Sequence, residues 1–239
     1  MQKSLKSKII KAASITFAVI LVCVGAFFIY AADYYRADDV AQGVAEQEYV
    51  TQTEEGDFVL TPQENMGVGL IFYPGAKVDT KAYLPLLDRL CQSGITCYLI
   101  EMPFHFAFFR TNAAAEIMAR NTQISRWYIA GHSLGGAMAS QFAAEHQDEI
   151  DGLILLAAYL YKEYPVAQTL TIYGSLDTSV EEKLNYSQNV YVLEGGNHAQ
   201  FGNYGKQSGD ADATISREEQ QQTTALYITS FIRQQPLLP

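Results

Sequence analysis

From residue 49 onward two apolar patterns alternate along the chain. Short, nearly continuous apolar runs occur at 67–75 (GVGLIFYPG), 95–103 (ITCYLIEMP), 126–131 (RWYIAG), 150–158 (IDGLILLAA), 169–175 (TLTIYGS) and 189–195 (NVYVLEG). Runs of this kind predict strands covered on both faces of a parallel sheet. Between them stand segments of helical spacing: 80–94 with Tyr83, Leu86, Leu87 and Leu90, the alanine-rich 110–122, the small-residue stretch 134–146, and a closing helix over 216–232. Thr80 fits the start of the first of these helices and Gly94 its end. Two shorter alternating runs, 48–53 and 56–62, predict a hairpin ahead of the first parallel strand. Strand and helix therefore alternate, which predicts a doubly wound α/β sheet with helices on both faces. Pro62, Pro74, Pro103 and Pro165 all fall at predicted element ends.

The N-terminal pattern is different. Residues 12–32 (AASITFAVILVCVGAFFIYAA) carry no charge over 21 positions, enough for a helix to cross a hydrocarbon core of about 30 Å. Lys3, Lys6, Lys8 and Lys11 precede this stretch, and the first acid is Asp33. That asymmetry predicts a cytoplasmic N-terminus and an extracytoplasmic bulk, with Tyr30, Tyr34 and Tyr35 at the outer interface. The run is longer than the roughly 7–15 residues of a signal-peptide core. A small-x-small cleavage site is also missing, since Ile29 and Tyr30 stand two before Ala31 and Ala32. The expectation is an uncleaved anchor, with secretion after cleavage as the alternative. Residues 33–48 are polar, acidic and alanine-rich and read as a juxtamembrane spacer.

The whole chain of 239 residues carries a net charge of -10, and beyond the four N-terminal lysines 12 basic residues face 26 acidic ones. So acidic a surface repels phosphate backbones and excludes nucleic acid as a partner. Three cysteines are spread thinly. Cys23 lies in the apolar stretch, and Cys91 and Cys97 flank QSGIT between a helix end and a strand start. A short disulfide across that turn and a pair of buried thiols that never meet are both open readings.

Candidate chemistry appears where 126–131 ends. Gly131-His132-Ser133-Leu134-Gly135 is G-x-S-x-G between a predicted strand and a predicted helix, the context of a nucleophile elbow. The turn is so tight that side chains two before and two after the serine would collide, and glycine at both places removes them. The helix that follows points its N-terminus at the serine, and the Leu134 N–H is aimed at a developing oxyanion. A serine hydroxyl needs a base, and the base an orienting acid, in the order Ser, acid, His for this architecture. Of the four histidines, His105 precedes the serine, His132 lies within the elbow and His146 ends a helix; His198 alone follows the last strand on a loop. Between Ser133 and His198, Asp177 is the acid that immediately follows a strand, whereas Glu194 is too close in sequence to the histidine. The loop after 67–75 supplies the second oxyanion donor, expected at the Ala76 N–H. A serine at the elbow argues against haloalkane or epoxide hydrolysis, which need aspartate there.

YPGAKVD, MPFHFAFF, GHSLGGAMA, DGLILLAAY, YGSLD and GGNHAQFGNYGKQSGDADATIS occur in this order and together resemble the alpha/beta-hydrolase fold-five family, compact bacterial proteins distantly similar to dienelactone hydrolases. The resemblance spans roughly residues 49–233. It implies an alpha/beta-hydrolase fold of about eight mostly parallel strands, a triad on Ser133, Asp177 and His198, and no metal or organic cofactor. Dienelactone hydrolases carry a cysteine nucleophile, so Ser133 points away from that substrate. The expected organisation is a basic cytoplasmic segment (1–11), a membrane anchor (12–32), the spacer (33–48) and a hydrolase domain (49–239). Only the twelve residues 157–168 (AAYLYKEYPVAQ) lead into 169–175, so no cap domain is expected. Phe104, His105, Phe106, His132, Phe201 and Tyr204 are the candidates for lining the substrate pocket; Asp210 and Asp212 are a weak calcium pair. The expected activity is hydrolysis of a small-molecule acyl substrate, foremost a carboxylic ester. Acyl transfer, thioester cleavage and a non-catalytic surface binding module on the same scaffold are the alternatives.

Overall fold

The computed structural model describes residues 2–234, with side-chain surroundings from residue 10 onward. The chain divides into two compact units, Met1–Tyr34 and Tyr35–Pro239. The first is a single helix, α1 (Gln2–Ala32). Within it Ile10–Ala32, 23 residues of mean hydropathy 2.6, is long and apolar enough to span a membrane. Length and composition fit a membrane span and a signal sequence equally.

The second unit is built on one eight-stranded sheet: β1 (Val50–Gln52), β2 (Phe58–Leu60), β3 (Val68–Tyr73), β4 (Ile95–Leu99), β5 (Arg126–His132), β6 (Gly152–Leu156), β7 (Thr169–Gly174) and β8 (Val190–Leu193). The spatial order is β1-β2-β4-β3-β5-β6-β7-β8. β1 and β2 pair antiparallel, β2 joins β4 antiparallel, and all other neighbours are parallel. The chain leaves β3 to one side for β4, then crosses to its other side for β5. Such a switch opens a crevice at the carboxyl ends of the two strands, where ligands bind in open α/β sheets.

Side chains alternate across the sheet with the period of two that a strand imposes. Leu70 and Phe72 of β3, Tyr128 and Ala130 of β5, and Ile154 and Leu156 of β6 face one core. Ile71 and Tyr73, Trp127 and Ile129, and Leu153 and Leu155 face the other. Helices α3 (Leu84–Cys91) and α7 (Arg217–Gln234) close the first core through Leu86, Leu87, Leu90, Ile228 and Ile232. Helices α4 (Ala113–Arg120) and α5 (Leu134–Glu145) close the second through Ala114, Ile117, Ala139 and Phe142. A short α6 (Thr178–Glu181) follows β7. The connection from β6 to β7 holds one 3-10 turn, Val166–Gln168, and no cap domain.

Two expectations need correction. The segment read as a spacer belongs to the second unit from Tyr35 onward, and α2 (Asp39–Ala45) buries Ala41 completely. Its start is fixed by polar bonds that composition does not reveal. Tyr35 N–H donates to the Lys77 carbonyl at 2.7 Å, and Asp79 N–H to the Tyr35 carbonyl at 2.8 Å. Asp38 accepts from Ala41 N–H, Asn203 Nδ2 and Arg217 Nη1. The disulfide reading also fails, because Cys91 and Cys97 are free, buried thiols. Cys97 sits in β4, with its thiol turned to the carbonyls of Leu87 and Ile95 at 3.6 Å each. Burial pushes Cys91 up to about 11 and Cys97 well above the ordinary thiol range.

Candidate active site

The elbow is set by backbone sterics. Ser133 adopts φ 53° and ψ -122°, a region that non-glycine residues avoid. The turn brings β5 and α5 so close that a Cβ on Gly131 would lie 2.4 Å from the Gly135 carbonyl oxygen. A Cβ on Gly135 would lie 2.1 Å from the carbonyl oxygen of Tyr73 and 2.4 Å from that of Pro74. Gly136 lets α5 approach β6, since a Cβ there would meet Ala158 at 2.5 Å. Ser133 N–H is held by the Leu156 carbonyl at 3.0 Å, which ties the elbow to the neighbouring strand.

Asp177 follows β7 and His198 follows β8, and the structure joins them: His198 Nδ1 lies 2.6 Å from Asp177 Oδ2. The Asp177 side chain is 5% exposed. Burial alone would raise its carboxyl, but hydrogen bonds from His198 and Ser179 outweigh that and hold it below the ordinary aspartate value. The His198 ring packs against His132 of the elbow with centroids 4.8 Å apart. Among the described residues no hydrogen bond links Ser133 to His198; such bonds are often long in unliganded sites and tighten with substrate.

The loop of His198 is fastened at several points. Asp210 accepts from His198 N–H at 3.1 Å with Oδ1 and from Ala199 N–H at 2.8 Å with Oδ2. Gln220 of α7 pairs both ways with Asn197, accepting from its N–H at 3.1 Å and donating to its carbonyl at 2.9 Å. The sequence does not single out Gln220, and Asp210 stands in it only as half of a calcium pair. Its carboxylate is instead engaged with two backbone N–H groups. Among the described residues no three histidine, cysteine or carboxylate side chains gather as metal ligands.

On the other side of the elbow, β3 ends in Tyr73-Pro74-Gly75-Ala76-Lys77. Gly75 N–H donates to Tyr83 Oη at 3.0 Å and Lys77 N–H to the His105 carbonyl at 2.9 Å. Among the described residues the Ala76 and Leu134 N–H groups have no hydrogen-bond acceptor.

Of the six residues expected to line the pocket, four are buried in packing. Phe201 is fully buried, and Tyr204, Phe106 and His132 nearly so. For Phe201 and Tyr204 the reason is that the chain after His198 turns inward: Asn203 N–H bonds the Ala82 carbonyl at 2.7 Å, and Tyr204 packs between Tyr35 and Tyr83. Phe104 is 44% exposed and His105 half-buried. Both have positive φ, 56° and 60°, so this turn is strained next to the Ala76 loop. Burial lowers the His105 pKa.

A sharp serine turn at a sheet switch point, with a histidine bonded to a buried aspartate at the same strand ends, defines the hydrolase class of α/β proteins. A model of the alpha/beta hydrolase family matches residues 69–222, and the chain belongs to that family. A protein named as a non-heme haloperoxidase from Mycobacterium phage D29 is 29% identical over 138 residues, covering 54% of this chain and 50% of that protein. The chain thus spans about half the length of this curated relative. Among solved structures, Est1E from Butyrivibrio proteoclasticus superposes with a TM-score of 0.54 at 15% identity, covering 78% of this chain and 98% of that one. Dienelactone hydrolase from Anabaena variabilis gives 0.53 at 16% identity, with 79% and 98% covered. Monoacylglycerol lipase from Paleococcus ferrophilus gives 0.54 at 14%, with 75% and 100% covered. At these identities the likeness establishes the fold.

Proposed function

We propose that the protein is a serine hydrolase that cleaves an acyl bond, foremost a carboxylic ester, through Ser133, His198 and Asp177. The observation that carries this reading is the 2.6 Å His198–Asp177 bond at the strand ends that also present Ser133 at φ 53°. Bonded through Nδ1, His198 keeps Nε2 to take the serine proton. Ser133 Oγ attacks the acyl carbonyl, and the proton passes to Nε2. Asp177 stabilises the imidazolium without being protonated itself. The N–H groups of Ala76 and Leu134 receive the oxyanion. His198 then returns the proton to the leaving group, and water, deprotonated by the same nitrogen, releases the acid. Thioester cleavage or acyl transfer would use the same parts.

The N-terminal helix fits a membrane anchor, with the four lysines on the cytoplasmic side and the hydrolase unit outside. Protease added to intact cells should then degrade the hydrolase unit.

Labelling with a fluorophosphonate, beside Ser133→Ala and His198→Ala, tests the mechanism. Wild-type labelling that vanishes in Ser133→Ala and drops sharply in His198→Ala is the expected result, and p-nitrophenyl esters of rising chain length then define the acyl group. A folded wild type that takes no label would refute the mechanism and turn attention to a binding role on a hydrolase scaffold.

A further inference from the structure

His132, between Gly131 and the serine, is 1% exposed. It is too deep to touch substrate, yet both its ring nitrogens are bonded. Nδ1 lies 2.8 Å from Tyr83 Oη, and Nε2 lies 3.0 Å from the His198 carbonyl oxygen. Tyr83 is fully buried at the end of the 3-10 turn Thr80–Tyr83.

Proton counting fixes the direction of each bond. The His198 carbonyl can only accept, so the ring proton of a neutral His132 sits on Nε2, and Tyr83 Oη, which accepts from Gly75 N–H, donates its one proton to Nδ1. Nδ1 is therefore bare, and the neutral ring carries its proton on Nε2, where it donates to the His198 carbonyl. The opposite tautomer would leave the buried Tyr83 proton without an acceptor. It would also set a bare Nε2 against carbonyl lone pairs. Burial first, and the neighbouring His198 second, hold the His132 pKa well below the ordinary value, which keeps the ring neutral.

The ends of this chain of bonds are the parts that the proposed reaction must hold in register. Gly75 precedes Ala76, His132 precedes Ser133, and the third member is the backbone of His198. The fit is close: a Cβ on Gly75 would lie 2.7 Å from Tyr83 Oη and 2.8 Å from His132 Nδ1. We infer that Tyr83 and His132 are positioning residues, whose hydrogen-bonded link sets the spacing between the serine elbow, the His198 loop and the Ala76 loop. The inference rests on the serine-hydrolase reading and adds to it two residues that act through others.

The test uses the full chain in detergent. Tyr83→Phe removes one oxygen, His132→Leu removes both bonds, and His132→Gln keeps one acceptor and one donor. Each variant is assayed on a p-nitrophenyl ester and for the rate of fluorophosphonate labelling, with its melting temperature recorded. Tyr83→Phe and His132→Leu should each lower kcat about tenfold or more with KM nearly unchanged, as for a misplaced catalytic group. The double variant should be no worse than the poorer single one, because one link is being broken. His132→Gln should recover most of the loss. Imidazole 15N spectra of the wild type should show His132 protonated on Nε2. A reactive wild type whose Tyr83→Phe and His132→Leu variants react equally fast overturns this inference alone, as does an Nδ1-protonated His132. A wild type that takes no label overturns the hydrolase reading and this inference with it.

Discussion

Gly135→Ala is the sharpest probe of the elbow. The added Cβ would start 2.1 Å from the Tyr73 carbonyl oxygen and 2.4 Å from that of Pro74, and both obstacles are backbone. Reaching even 3.0 Å requires the end of β3 and the start of α5 to separate by roughly 0.9 Å, and ordinary contact requires more. Neither side yields readily. Tyr73 is a fully buried strand residue whose hydroxyl bonds the Thr111 carbonyl at 2.6 Å, and α5 is packed against β5 and β6. Overpacking of this kind costs about 1–3 kcal/mol, or roughly 2–12 °C in melting temperature for a domain of this size. The effect on chemistry should be larger, because a displacement near 1 Å costs on the order of a hundredfold in rate. The variant should therefore melt modestly lower and label with fluorophosphonate about a hundredfold more slowly. Gly43→Ala is the control: nothing lies within 4 Å of its added methyl, and α2 should gain up to about 1 kcal/mol. A Gly135→Ala protein that melts and labels like wild type would show that the close approach of β3 and α5 is not a feature of the folded molecule.

Asp210→Ala frees the N–H groups of His198 and Ala199, so kcat on esters should fall at least about tenfold while the melting temperature moves by only a few degrees; an unchanged kcat would mean the loop is set without this carboxylate. Asp57, 4% exposed, accepts two bonds from Arg110 and one from Glu101 N–H, so Asp57→Ala should cost about 2 kcal/mol in urea unfolding, since it leaves the half-buried Arg110 guanidinium with only its bond to the Glu101 carbonyl. For His132 the folded pKa lies below the unfolded value of 6.5, so the unfolded chain takes up the proton first. Its contribution to stability is complete above pH 6.5 and is lost at up to about 1.4 kcal/mol per pH unit as the pH falls below that. Urea midpoints of wild type and His132→Gln between pH 8 and pH 5 should diverge accordingly, and parallel curves would contradict a buried neutral ring.

Much of the scaffold is legible in the sequence because its signals are local. Continuous apolar runs give the parallel strands, and two glycines around a serine give the elbow. Their obstacles, Gly135 O, Tyr73 O and Pro74 O, are backbone atoms of the elements that the same patterns predict. Asp177 and His198 stand out because each follows the carboxyl end of a parallel strand. Pocket lining was not legible. Phe201 and Tyr204 look like an exposed lip in a glycine-rich stretch, yet bonds from Asn203 to Ala82 and Asp38 draw the stretch inward. The direction of a loop side chain depends on partners more than a hundred residues away, and periodicity carries no information about them. The polar segment at 33–48 fails for the same reason: Tyr35 backbone bonds to Lys77 and Asp79, and the Asp38 carboxylate on Asn203 and Arg217, hold it in place.

The closing helix shows why polar residues hid part of the site. The first half of α7 reads REEQQQTT, with no apolar stripe to mark a buried face. Gln220 and Gln221 are nevertheless almost inaccessible. Burying a primary amide is costly unless its donors and acceptor are satisfied, and satisfaction requires the partner backbone to sit at fixed places. Gln220 demands Asn197 N–H and carbonyl; Gln221 demands the Gln200 carbonyl and Asn203 Oδ1. These four atoms bracket His198. An apolar helix face would have buried the same area and left the loop free to slide, whereas two glutamines admit one arrangement of it. The polar start of α7 thus fastens the loop that carries His198, and it reads as surface only because hydrogen-bond partners, unlike hydrophobic contacts, leave no periodic trace.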